Sequence, residues 1–138
     1  MAIFMKHSDS MRTEEIRVDV GSTDNAIRVV QKLIDDKFIK PSDFTWAYLS
    51  YDVKHLPDPD PFKNSHYPLN FHGSGIELYV SGVSAGYGGE GPAGTITILK
   101  MLGFKFTALQ EQTITETTFD SDGNRIEKIQ LHFDKYDR

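Results

Sequence analysis

A cluster of glycines between residues 82 and 94 constrains this chain more than any other feature. Six of the 11 glycines in the 138 residues lie there, between the apolar run Ile76–Val80 and a helix-forming segment that Pro92 opens. Glycine has no β-carbon and adopts positive φ freely, so backbone N–H groups in such a loop can converge on an anion. The following helix adds unsatisfied N–H donors and a partial positive charge. Two interpretations stay open: a cradle for a phosphate or nucleotide, and a flexible or tightly packed turn.

Two catalytic or cofactor-binding motifs occur within the glycine cluster. Residues 86–91 satisfy G-x-G-x-x-G, but that fingerprint needs a parallel β-α-β unit, and we expect an antiparallel hairpin after the helix. Residues 82–86 satisfy G-x-S-x-G, but a nucleophile elbow needs a helix directly after Ser84, and we expect none before residue 91. We therefore expect neither a Rossmann fold nor a serine nucleophile.

The whole chain, residues 1–138, predicts a single α+β domain with two helices and a largely antiparallel sheet of about five strands. Alternating apolar and polar residues predict strands, whereas three- and four-residue apolar spacing predicts helices. Residues 54–75, with four prolines and three histidines, are expected to be irregular. The predicted strands are 14–20, 44–51, 76–80, 105–119 and 125–134, the last two joined by the turn 120–124. The first predicted helix is capped by Thr23 or Asp24, and the second begins at Pro92.

Composition excludes several classes of protein. The formal charge of -5 and the pI near 5.4 disfavour binding to duplex nucleic acid, which normally needs a basic surface. The absence of cysteine excludes disulfides, thiolate metal sites and cysteine nucleophiles. The apolar run at the N-terminus is too short for a secretory signal, and no stretch approaches the roughly 20 apolar residues of a spanning helix, so we expect no membrane association.

Several side chains outside the glycines could contact a ligand. Tyr87 is flanked by glycines and fits no periodic core position, so we expect it to be exposed at a site or a subunit contact. His66 and His72 lie in the long irregular stretch, where they are either ligand contacts or ordinary exposed residues. Arg28, in the first half of the first helix, is either a phosphate contact or a solvated surface residue. Aromatic rings before the glycine cluster offer surfaces on which a base could stack.

The run from Tyr79 to Pro92, followed by Gly94-Thr95 and a short apolar helix, resembles the first Thoeris anti-defence family of phages. The resemblance implies a viral protein in the cytoplasm of an infected bacterial host. It implies sequestration, without cleavage, of the cyclic ADP-ribose isomers that bacterial TIR-domain enzymes make. It also implies a homo-oligomer, a dimer or hexamer, with pockets shared between subunits. Some members hold cyclic oligonucleotides at a second site, so a cyclic di- or trinucleotide is a possible further partner.

The resemblance and the glycine-loop interpretation together imply a set of ligand-binding residues. Tyr79 or Tyr87 is expected near the base, and Arg28 at the second, cyclic-oligonucleotide site. No catalytic residue, metal or cofactor is expected. Arginines from neighbouring subunits could supply the positive charge that the acidic chain lacks. The expected phosphate contacts are Tyr87, Gly88, Gly89, Gly91 and Thr95.

Two alternative functions stay open. One is a hydrolase that processes a nucleotide through His66 or His72. The other is a protein-interaction inhibitor or immunity module that uses the acidic Asp-Pro loop 57–61 as its contact surface. A sequestering protein releases its ligand intact on heating, a hydrolase releases it altered, and an interaction module binds a protein partner instead.

Overall fold

A six-stranded mixed sheet organises the chain, of which the computed structural model describes residues 2–8 and 13–135. Two single turns of 3-10 helix lie at Pro41–Asp43 and Asn64–His66. The strands are β1 (Ala2–Ser8), β2 (Thr13–Asp19), β3 (Phe44–Asp52), β4 (Leu69–Gly73), β5 (Ile76–Val80) and β6 (Lys128–Asp134). The helices are α1 (Thr23–Asp35), α2 (Glu90–Met101) and α3 (Ala108–Thr115).

The strand order in the sheet is β1-β2-β5-β4-β3-β6. Four of the five neighbouring pairs are antiparallel, and the β2–β5 pair is parallel. The predicted α+β class and the largely antiparallel sheet are therefore confirmed, although the described residues form six strands and three helices instead of about five and two.

The core lies between the helices and one face of the sheet. Alternate strand residues such as Val18, Leu49 and Leu78 are fully buried there. Phe71 packs against Phe44 and Phe104, with ring centroids 6.0 and 5.5 Å apart. Helix α1 turns an apolar face toward this core, as its three- and four-residue spacing predicted.

The opposite face of the sheet is covered only in part, by the loop formed by residues 53–68. One row of side chains crosses four strands on this face, because Arg17, Tyr79, Asn70 and Tyr48 are successive cross-strand partners. Tyr67 of the loop packs over the β2–β5 end of the row and is 2% exposed. The β3–β4 end of the row stays open and forms part of a cleft.

Two predictions of secondary structure were wrong, and one strand was missed. Residues 105–119 form no strand, because Thr107 and Gln110 make a capping box, with reciprocal bonds of 3.0 and 2.9 Å, that starts α3. Residues 54–75 are not wholly irregular, since β4 lies within them. Edge strand β1 was not predicted.

The boundaries of two other elements differ from the prediction. Helix α1 is capped by Ser22, whose hydroxyl accepts from Asn25 N at 3.3 Å. Helix α2 begins at Glu90, so Gly91 lies inside its first turn instead of before it. The next element is α3, so no parallel strand completes a Rossmann unit after α2.

The turn predicted at 120–124 is present, but it does not join two strands of a hairpin, because the element before it is α3. The Asp120 carboxylate accepts from the backbone N–H groups of Asp122 and Asn124, and Gly123 adopts a φ of 82°. A single bridge between Phe119 and Arg125 closes it, and β6 then pairs with β3. Within residues 2–8 and 13–135, no helix has the length and apolarity needed to cross a membrane.

Candidate functional site

Two strand-to-helix connections meet at the carboxyl ends of strands β2 and β5. Because β2 and β5 are adjacent and parallel, the connections to α1 and α2 leave the sheet side by side. Side chains join them: the Ser81 hydroxyl accepts from Val20 N at 2.8 Å, and the Thr23 hydroxyl donates to Gly82 O at 2.8 Å. The N-termini of both helices therefore border the same space, as at the ligand sites of open α/β sheets.

A cavity of about 750 Å³ occupies this space, within the range of small-molecule sites. We call it the glycine cleft. The residues that line it are 20–23, 81–84, Tyr51, Leu56, Pro57, His66, Pro68, Tyr87, Glu90 and Gly91.

The glycines of the cluster serve different purposes. A β-carbon at Gly91 would overlap the Ser84 hydroxyl, and one at Gly94 would overlap the Thr23 side chain, so both positions are needed for close packing. Gly82 adopts a φ of 80°, which few other residues tolerate. Gly88 and Gly89 are exposed, and a β-carbon there would meet nothing closer than 3.3 Å. Packing and backbone shape thus account for at least three of the six glycines, but not for Gly88 and Gly89.

The hydroxyl groups at the cleft bond mainly to one another and to the backbone. The Tyr87 and Ser84 hydroxyl oxygens are 2.6 Å apart, and Tyr87 is half-buried. Burial, followed by the neighbouring Tyr87, raises the pKa of Tyr51 above its usual value. Thr95 is fully buried beneath the cleft, and its hydroxyl donates to Ser84 O at 2.7 Å. The Thr95 hydroxyl therefore already donates its proton within the protein and does not offer it to a ligand.

His66 joins the loop 53–68 to the end of β2. Its Nδ1 lies 2.5 Å from Asp58 O and its Nε2 lies 2.7 Å from the Asp19 carboxylate. A carbonyl and a carboxylate both accept hydrogen bonds, so the doubly protonated ring satisfies both partners. Burial lowers the pKa of His66, but the bonds to Asp19 and to the Asp58 carbonyl outweigh it, and the net shift is upward.

We expect replacement of His66 by glutamine to destabilise the protein more in acid than in base. The raised pKa means that this histidine stabilises the fold fully below its unfolded pKa near 6.5, and that the gain is lost as pH rises through the folded pKa. The expected loss is about 1–2 kcal/mol near pH 5.5 and clearly less near pH 8.5. Urea unfolding of both proteins at the two pH values measures the difference. His55, exposed and paired with Asp52, is the control position, and an equal loss at both pH values would contradict the prediction.

A second cavity, of about 690 Å³, lies on the open face of the sheet. We call it the ring cleft because aromatic side chains form much of its wall. Tyr51, Leu56 and Pro57 line both cavities, so the ring cleft and the glycine cleft adjoin. The residues that line it are Trp46, Tyr48, Ser50, Tyr51, Asp52, His55, Leu56, Pro57, Asp58, Asn64, Ser65, Tyr67, Asn70, His72 and Tyr79.

The predicted ligand-binding residues fall into three places. Tyr87 and Gly91 line the glycine cleft, and Thr95 is buried beneath it. Gly88 and Gly89 are exposed and are not among the residues that line this cleft. Tyr79 lines the ring cleft instead, is 4% exposed, and donates from its hydroxyl to Glu77 at 2.6 Å.

Arg28 lies apart from both clefts. It is exposed on α1 and borders a shallow depression between Asp24 and Asp35. The structure therefore does not bring Arg28 together with the glycine loop, and its predicted role at a second site stays a prediction.

Sequence reasoning missed the ring cleft and the arginine beside it. Trp46, Tyr48 and Ser50 alternate along β3 and share one face, a pattern that is visible in the sequence. Arg17 is 8% exposed, although its place in an alternating strand indicated the solvent side. No pattern in the sequence around Arg17 indicated that the loop 53–68 folds over this side chain.

Comparisons with family models, with curated proteins and with solved structures found no match to this chain. Among the described residues, no group of three or more His, Asp or Glu side chains is placed to hold a metal ion.

Proposed function

We propose that this protein binds a small nucleotide signal in the glycine cleft and sequesters it without cleavage. The observation that carries the proposal is the convergence of two helix N-termini, those of α1 and α2, on one cavity bordered by glycine-rich backbone. From the family resemblance we propose cyclic ADP-ribose isomers as the ligand class. We propose the cytoplasm of an infected bacterial host as the place of action on the same basis. A tight, enclosed complex would lower the free signal by mass action.

The charges around the cleft require backbone groups to do most of the binding. Among its described lining residues none is Lys or Arg, and His66 is the basic side chain present. Glu90 lies on the rim and Asp24 in the first turn of α1, where both carboxylates compete with an anion for the helix N-termini. A homo-oligomer that brings arginines from a neighbouring subunit would offset this competition, and native mass spectrometry tests it.

The side chains at the two clefts favour capture over hydrolysis. The Ser84 hydroxyl is bonded to Tyr87, and its partners among the described residues include no histidine or carboxylate. Both ring nitrogens of His66 already face acceptors. Burial lowers the pKa of His72, whose Nε2 lies 2.8 Å from Asn70 Oδ1. None of these three groups is set up as a nucleophile–base pair.

The decisive experiment offers the protein its proposed ligands and then recovers them. Cyclic ADP-ribose isomers and cyclic di- and trinucleotides are screened by thermal shift, and the bound compound is released by heating and identified by mass spectrometry. A raised melting temperature with intact released ligand is the expected result. Altered ligand would indicate a hydrolase, and the absence of any shift would reject the proposal.

We expect Gly89→Val to weaken ligand binding at least tenfold while the fold persists. Gly89 is the N-cap of α2 in extended conformation, and its β-carbon would meet only the Tyr87 ring at 3.3 Å. The loss of stability should stay below about 1 kcal/mol, whereas the branched side chain covers the N–H groups that would face a phosphate. Isothermal calorimetry with a ligand found in the screen measures the effect.

Two further variants control this prediction. Ala93→Val adds a similar volume nearby on α2, at an exposed position outside both clefts, and should bind as the wild type does. Gly21 lines the glycine cleft, and a β-carbon there would meet nothing within 4 Å, so Gly21→Val tests the cleft directly if Gly89→Val is unstable. Unchanged affinity in both glycine variants would show that the glycine cleft is not the site.

A further inference from the structure

We infer that the ring cleft holds the base of the nucleotide whose phosphates occupy the glycine cleft. This inference rests on the proposed function and deepens it, because it assigns the two ends of the ligand to two different cavities. The expected occupant is a planar base with an exocyclic amino group, such as adenine.

The ring cleft has the shape and surface that a planar ring requires. Tyr48 and Asn70 are cross-strand partners at the open β3–β4 end of the row, and Tyr79, the next partner, borders the same cavity but is 4% exposed. Trp46 is stacked against His72, with centroids 3.9 Å apart and an angle of 11° between the rings, and this pair borders the same cavity. Aromatic walls of this kind bind bases through stacking at little cost in side-chain entropy.

Asn70 supplies a hydrogen-bond donor on this surface. Its Oδ1 lies 2.8 Å from His72 Nε2. An amide oxygen can only accept a hydrogen bond, so His72 is the donor in this contact, through Nε2–H. The amide N–H groups of Asn70 have no acceptor among the described residues and are available to a ring nitrogen or a carbonyl of a ligand.

The charges at the two cavities determine which end of the ligand lies in which cavity. Asp52 and Asp58 line the ring cleft, where their carboxylates repel a phosphate but accept a hydrogen bond from an exocyclic amine. Helix N-termini, which favour anions, border the glycine cleft instead. Since Tyr51, Leu56 and Pro57 line both cavities, one ligand can span them with its base at the acidic end.

The test uses Trp46, the single tryptophan of the chain, as a fluorescent reporter. Adenosine, AMP and ribose 5-phosphate separate the base from the phosphate. We expect adenosine and AMP to change the emission of Trp46, and AMP to bind more tightly than either fragment. Tyr48→Ala should weaken AMP binding about tenfold, whereas Tyr48→Phe, which keeps the ring, should not. Phe38→Ala removes an exposed ring outside both clefts and is the matched control.

The outcomes separate this inference from the proposed function. If ribose 5-phosphate binds as tightly as AMP by calorimetry and Tyr48→Ala leaves AMP affinity unchanged, the ring cleft is rejected and the phosphate site stands. If adenosine binds and Tyr48→Ala abolishes its binding, while ribose 5-phosphate and the cyclic nucleotides do not bind, the ring cleft stands and the phosphate site is rejected. If none of these compounds binds, both proposals fall.

Discussion

Replacing Gly82 by valine should destabilise the protein by about 3 kcal/mol and lower its melting temperature by about 10 °C. Gly82 has a φ of 80°, a conformation that β-branched residues rarely adopt. Its β-carbon would also lie 2.8 Å from Ser22 O and 3.0 Å from Val20 Cγ2. Both atoms belong to the β2–α1 connection, so relieving the overlap separates the two connections and breaks the bond from Thr23 to Gly82 O.

Gly89→Val is the matched comparison, because it adds the same side chain seven residues later in the same cluster. Its extended backbone and open surroundings predict a loss below about 1 kcal/mol. Urea unfolding of both variants measures the contrast. Equal stabilities would mean that the connection around Gly82 adapts at no cost, which would contradict the role assigned to its conformation.

The glycine cluster shows how far a motif can be interpreted without coordinates. Its density in the sequence indicated a strand-to-helix loop. The structure confirms a loop between β5 and α2 for the first four glycines, whereas Gly91 and Gly94 lie within α2. The sequence could not show that the side chains of Ser84 and Thr23 leave no room for a β-carbon at positions 91 and 94. Those contacts depend on the packing of α2 against the preceding loop and against α1. Counting glycines therefore overstates the number available to a ligand.

Elements with one face in the core were predictable from spacing alone. Strands β2 and β5 and helix α1 follow their apolar periodicity. In β3 a register shift between Phe44 and Trp46 breaks the alternation and puts Phe44 in the core. Helix α3 buries one residue, Ile114, so its weak pattern was assigned to a strand, and the capping box that starts it was the better signal. Strand β4 follows a proline-rich stretch, and β1 depends on pairing with β2, which no local pattern reveals.

Arg17 illustrates a site residue that local pattern cannot assign. Alternation in β2 places it on the face opposite the core, where a charged side chain normally meets water. Asn64 and Tyr67 of the loop 53–68 cover it instead, with Arg17 Nη2 2.7 Å from Asn64 Oδ1. That contact joins residues 47 positions apart, so it depends on the path of the loop and not on the strand itself.

We expect Arg17→Ala to cost about 3 kcal/mol of stability and to disorder the ring cleft. The guanidinium makes two bonds of 3.1 Å to Glu15 and lies 4.6 Å from the ring centroid of Tyr79 and 5.3 Å from that of Tyr67. Truncation removes the support beneath both rings and leaves the Glu15 carboxylate without its partner. Urea unfolding measures the stability, and quenching of Trp46 by acrylamide measures the cleft.

A second variant separates the charge of Arg17 from its volume. Arg17 Nη1 is buried with no partner among the described residues, so the ion pair carries an unrecovered desolvation cost. Arg17→Met combined with Glu15→Gln keeps the packing and removes both charges, and it should remain within about 1 kcal/mol of the wild type. Arg28→Ala, at an exposed position on α1, should change stability by less than about 0.5 kcal/mol. If Arg17→Ala costs no more than Arg28→Ala, the loop 53–68 is held by other contacts, and the ring cleft does not depend on the arginine beside it.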